Sequence, residues 1–117
     1  GPVRWMAPEA ILWRRYTEQS DVFALGVTLW EMWAQGALPW GELHSDAEVA
    51  QQVQQGRQLK QPAGCPDAVY AVMRACWAMT PGARPAFLRL RVDLEDAMAQ
   101  IASERAAVPG EGEGNAE

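Results

Sequence analysis

A mainly α-helical fold is predicted by three features of this 117-residue sequence. Five stretches carry helical spacing or helix punctuation, prolines and glycines fall between them, and no stretch makes a convincing strand. Six tryptophans in so short a chain add a packed body, since Trp is large enough to organise a core.

The elements follow in order. Residues 1–6 have no helical period, and Pro8 then sits where a first turn tolerates proline, with Glu9 beside it at the positive end of that turn. A short helix through about residue 12 follows. Ser20 is a candidate N-cap for a second helix starting at Asp21, which Gly36 and Pro39 stop. Its apolar residues, among them Val22, Phe23, Val27, Trp30 and Met32, fall on every face, the pattern of a helix surrounded by protein. Ser45 and Glu48 have capping-box spacing and open a third, largely exposed helix that ends at Gly56. In the fourth, opened by Pro66 and Asp67, Val69, Val72, Met73, Cys76 and Trp77 form the clearest amphipathic stripe of the chain. The fifth starts near Pro85 and presents Phe87, Leu90, Leu94, Met98 and Ile101 on one side. Beyond residue 104 Gly and Glu take over, so residues 105–117 read as an acidic tail without a packed core.

Bulk chemistry excludes several classes. A formal net charge of −5 and the lack of a Lys/Arg stripe argue against a nucleic-acid surface, which needs clustered cations. Two cysteines, Cys65 and Cys76, are too few and too far apart for a disulfide framework or a zinc site, and no metal site is predicted. The most apolar stretch, residues 22–34, is too short to cross a bilayer and is interrupted by Glu31, so no membrane contact is expected of this segment.

The run Pro2-Val3-Arg4-Trp5-Met6-Ala7-Pro8-Glu9 resembles the end of the activation segment of a protein tyrosine kinase. Three further motifs agree in order: residues 20–31 (SDVFALGVTLWE) resemble the family's buried central helix, Cys76-Trp77 its next-to-last helix, and Arg84-Pro85 its closing signature. The resemblance runs to about residue 94 and implies the helical C-terminal lobe of the kinase-like fold: residues 1–19 as the end of the activation segment with the substrate loop and the Ala-Pro-Glu helix, and 20–104 as the lobe itself. Phe23-Ala24-Leu25 departs from the usual Trp-Ser-Phe, which bears on subfamily and not on chemistry. Residues 55–77 resemble receptor-type kinases, the neurotrophin-receptor and discoidin-receptor groups among them.

The resemblance implies roles residue by residue. Pro2, Val3, Arg4 and Trp5 would form the substrate-binding loop on which a tyrosine peptide is laid. Glu9 and Arg84 would form a buried structural ion pair, against the alternative of two independent surface charges. Asp21 would turn inward to anchor the catalytic loop, against plain helix capping. Thr28 and Met32 would stand in the hydrophobic column beneath the adenine site, with ordinary core packing an equally good description.

No catalytic residue is assigned. The Gly-rich loop, strand Lys, His-Arg-Asp and Asp-Phe-Gly that phosphoryl transfer requires are all absent, and the lone histidine, His44, reads as a surface residue. The expectation is therefore a parent domain that uses ATP and magnesium to phosphorylate protein tyrosines on the cytoplasmic side, either as a cytoplasmic protein or as a single-pass receptor. This segment, lacking the N-terminal part of the domain, would bind neither cofactor and be inactive alone. A pseudokinase scaffold and a stand-alone helical interaction module are the alternatives.

Overall fold

The computed structural model describes residues 2–107. Five α-helices are present among them: α1 (Pro8–Trp13), α2 (Glu18–Trp33), α3 (Asp46–Gln54), α4 (Asp67–Cys76) and α5 (Phe87–Ala107), with 3-10 turns at Val3–Trp5 and Pro81–Ala83. The mainly α reading is thus the observed one, with no strand among the described residues.

Helix α2 packs on α4 and α4 on α5, while the Val3–Trp5 turn seats against α2 and α3. All five residues of the α4 stripe are buried, as is Arg84 in the connection to α5. Close approach of α2 to the end of α4 depends on Gly26, where a Cβ would lie 2.6 Å from the Cys76 Cβ and 2.8 Å from the Trp77 Nε1.

Three sequence expectations are corrected. Helix α2 begins at Glu18 and not at Asp21, because Thr17 is its N-cap: the Thr17 Oγ1 accepts the Ser20 N–H at 3.3 Å, and the Ser20 Oγ accepts the Thr17 N–H at 2.8 Å. Ser20 is therefore the returning member of a capping box, one turn inside the helix, and a boundary between residues 19 and 20 falls within α2. On α5 the buried side runs through Leu90, Ala97 and Ile101 with Leu94 half-buried, while Phe87 and Met98 are exposed. The small Ala97 lies on the face turned to α4, and Met98, one position round the helix, is carried out to the rim of an open groove. Helix α5 also continues through Ala107, so residues 105–107 are helical, and the rest of the proposed tail, 108–117, lies outside the described residues.

The tryptophans divide as well. Trp40 and Trp77 are buried, Trp5, Trp30 and Trp33 are half-buried, and Trp13 is 72% exposed, so core packing accounts for only some of them.

Candidate functional site

Glu9 and Arg84 meet, though 75 residues separate them in sequence. Arg84 Nη1 donates to Glu9 Oε2 at 2.7 Å and Nη2 to Oε1 at 2.9 Å, a two-bond fork on one carboxylate. The guanidinium has no solvent exposure and the carboxylate side chain only 11%, so little water competes. Arg84 also donates from Nε to the Ala78 carbonyl at 2.8 Å and from Nη1 to the Gln19 carbonyl at 3.0 Å, and its charge lies 5.1 Å from the Phe23 ring centre. One side chain thereby ties together helix α1, the start of α2 and the α4–α5 connection. Burial by itself pushes the Glu9 carboxyl up. The Arg84 hydrogen bonds, its own backbone N–H, and the charges of Arg84 and Arg15 outweigh that and hold it below its ordinary value.

The Val3–Trp5 turn is fixed by two side chains that point into the protein. The Arg4 guanidinium donates to three backbone carbonyls of the α2–α3 connection: Nη1 to Pro39 at 3.0 Å and Trp40 at 2.6 Å, Nη2 to Leu43 at 3.0 Å. The Trp5 indole donates to Glu31 Oε1 at 2.6 Å. Pro2 is exposed and Val3 half-buried, with their carbonyls accepting the Trp5 and Met6 N–H groups within the turn, whereas Arg4 and Trp5 spend their side-chain polar groups on the helical body. Glu31 was legible in the sequence only as a charge interrupting an apolar run. Its partner was not, because the bond spans 26 residues.

Asp21, Thr28 and Met32 lie elsewhere. All three are exposed on one side of α2, with Met32 at 69%, and Thr28 Oγ1 donates back to the Ala24 carbonyl at 3.2 Å. Among the described residues the Asp21 carboxylate turns inward onto nothing, and core packing does not describe Thr28 or Met32. The next helical turn continues this open side into an apolar groove lined by Leu29, Met32, Trp33, Val69, Leu94 and Met98. The reason is geometric: α4 and the Val3–Trp5 turn cover only part of the circumference of α2, and its apolar residues extend past that part.

Both cysteines are buried free thiols. Burial pushes the Cys76 thiol up to about 12, with Arg84 opposing and Asp93 adding, so it is protonated and unreactive at neutral pH. Burial likewise raises Cys65, with the Asp67 charge adding. Among the described residues no three His, Cys, Asp or Glu side chains converge on a point where a metal ion could be held. No described helix is long and apolar enough to cross a membrane.

A family model described as protein tyrosine and serine/threonine kinase matches residues 1–94. The high affinity nerve growth factor receptor of Rattus norvegicus is 47% identical over 83 residues, covering 71% of this chain and 10% of that protein. The BDNF/NT-3 growth factors receptor of Gallus gallus and the NT-3 growth factor receptor of Sus scrofa are each 47% identical over 83 residues, with the same coverage. The chain thus spans about a tenth of the length of the curated relatives it matches.

Proposed function

The chain belongs to the protein tyrosine and serine/threonine kinase family, with growth-factor receptors among its relatives, and on that premise we propose that it is the peptide-bearing helical part of a receptor-type tyrosine kinase domain. The complete domain transfers the γ-phosphate of ATP to protein tyrosines. In this reading residues 2–5 and the edge formed by α3 are the platform for the tyrosine peptide, and α2, α4 and α5 are the body that holds it. The observation that carries the reading is the Glu9–Arg84 fork, which anchors the segment running on from residues 2–5 to the helical body through two charge-assisted bonds closed off from solvent.

ATP and magnesium act on the complete domain. Among the described residues no acidic cluster converges, and the sequence holds no Gly-rich loop and no His-Arg-Asp or Asp-Phe-Gly run. What this segment contributes is positioning: it holds the target hydroxyl where residues beyond this segment can act on it. Asp21 then anchors the catalytic loop of the complete domain, and Thr28 and Met32 stand in the column beneath the adenine site, which gives their exposed side of α2 an occupant. The apolar groove beside Met32 is a surface that the rest of the complete domain would cover, whereas a self-contained interaction module would require residues 1–104 to fold cooperatively by themselves. The domain works on the cytoplasmic side, as part of a cytoplasmic protein or of a single-pass receptor.

The test is an assay of the complete protein with a tyrosine peptide, ATP and magnesium. Phosphotyrosine is the expected product, and residues 1–117 alone give none. ATP binding without phosphotransfer would instead identify a scaffold, and phosphate found only on serine or threonine would remove the tyrosine assignment.

A further inference from the structure

We propose that Arg4 is a positioning residue for the peptide substrate that never touches it: its guanidinium clamps the substrate loop to the α2–α3 connection and sets the height of the platform. The inference rests on the kinase reading above and adds a role that the motif alone does not give.

An arginine in a substrate loop would ordinarily be read as a docking point for an acidic peptide. Here the geometry points the other way. Three of the five N–H donors of a guanidinium are committed to the carbonyls of Pro39, Trp40 and Leu43, in a fan that only a planar fork can reach. Those carbonyls belong to an unusual backbone. Trp40 has φ +59, the left-handed region that a bulky residue rarely adopts, and it is buried. Such a conformation persists only where its surroundings over-determine it, and the 2.6 Å bond from Arg4 to the Trp40 carbonyl is one such constraint.

The constraint passes further. The Arg57 guanidinium lies 5.2 Å from the Trp40 ring centre and its Nη2 bonds Glu42 at 2.7 Å, so the α3–α4 connection is held against the same loop. On the other side of the turn, the Trp5 bond to Glu31 fastens the loop to α2. Residues 2–5 are thus suspended between two anchors, and Arg4 is the one that fixes them relative to α3. Releasing it lets Trp40 leave the left-handed region and shifts the edge on which a peptide lies.

Arg4→Lys and Arg4→Ala in the complete kinase domain test this. Lysine keeps charge and stem but offers a point donor in place of a fork. With peptides that differ only in acidic or neutral residues flanking the tyrosine, both variants are expected to raise peptide KM by roughly tenfold for every peptide alike, leaving KM for ATP unchanged. A rise confined to acidic peptides would mean that Arg4 contacts substrate, and would overturn the proposal. Amide hydrogen exchange in residues 40–43 supplies a second readout independent of catalysis. It is expected to accelerate in both variants while the α4 amides stay protected. Unchanged exchange there would overturn the clamp even if activity fell, whereas a wild-type domain without phosphotransfer would defeat the kinase reading and leave the exchange experiment decisive for the clamp. Should Arg4→Ala fail to fold, Arg4→Lys carries the same comparison.

Discussion

The two sides of helix α2 meet opposite fates. On one side Val22, Phe23, Gly26 and Val27 are buried against α4, its C-terminal Trp77 and the Arg84 charge. On the other, Asp21, Thr28 and Met32 are exposed, and the seam beside them is apolar. Composition separates the sides only in part: Asp21 and Thr28 are polar, but Leu29, Met32 and Trp33 in the last two turns are apolar and ask to be covered. What separates them is the partner: one side has a charge-locked connection returning to it, with Arg84 bonded to the Gln19 carbonyl from 65 residues away, and the other has none among the described residues.

The buried side is broken hardest at its lock. Arg84→Ala strands the Glu9 carboxylate in a nearly closed site and removes the bonds to the Ala78 and Gln19 carbonyls, for an expected loss of about 3–5 kcal/mol in denaturant unfolding. A loss below about 1 kcal/mol would place the pair with ordinary surface ion pairs.

Next in size is Gly26→Ala. The added methyl would meet the Cys76 Cβ and the Trp77 ring, both in the core, so one helix must back away from the other at a cost of about 1–3 kcal/mol. The open side of α2 offers the control: Thr28→Ala removes only a hydroxyl bonded back to its own helix and should unfold at nearly the wild-type denaturant concentration.

How much of this could be read from the chain depends on the range of each interaction. The α4 stripe was legible because Val69, Val72, Met73, Cys76 and Trp77 repeat along a single helix, so local period and final burial coincide. The start of α2 was misread because the returning side chain of its cap is Ser20, where the usual signature has Glu or Gln. On α5, period alone could not choose between Ala97 and Met98. Hydropathy favours Met, but the close neighbour α4 favours the smaller side chain. At the site, motif resemblance named Glu9 and Arg84 without their geometry. The inward commitment of Arg4 and Trp5 was invisible, because their acceptors are backbone carbonyls and a carboxylate 26 to 39 residues away.

A smaller effect concerns acid. Because Glu9 titrates below its ordinary value of 4.5 when folded, the folded state binds fewer protons than the unfolded one as that range is crossed. Its contribution is fully present above 4.5 and is lost as pH falls through the lower folded value. Glu9→Gln, which keeps a side chain of the same shape without the charge, is therefore expected to be less stable than wild type at neutral pH, with the gap closing in acid. A gap that stayed constant through the acid range would mean that the charge on Glu9 plays no part.

The smallest effect is the most informative about the open side of α2. Met32→Gln in a chain of residues 1–117 changes a side chain that is 69% exposed and should shift unfolding by no more than about 0.5 kcal/mol. In the complete domain the proposed column beneath the adenine site covers that side chain, and the same substitution buries an amide among apolar neighbours, so the loss must be larger there. The comparison therefore turns on the difference between the two contexts. Equal and small losses in both would leave this side of α2 open in the complete protein and remove Thr28 and Met32 from the column. Equal and large losses would mean that residues 1–117 cover Met32 by themselves, and the contrast between the two sides of α2 would not stand.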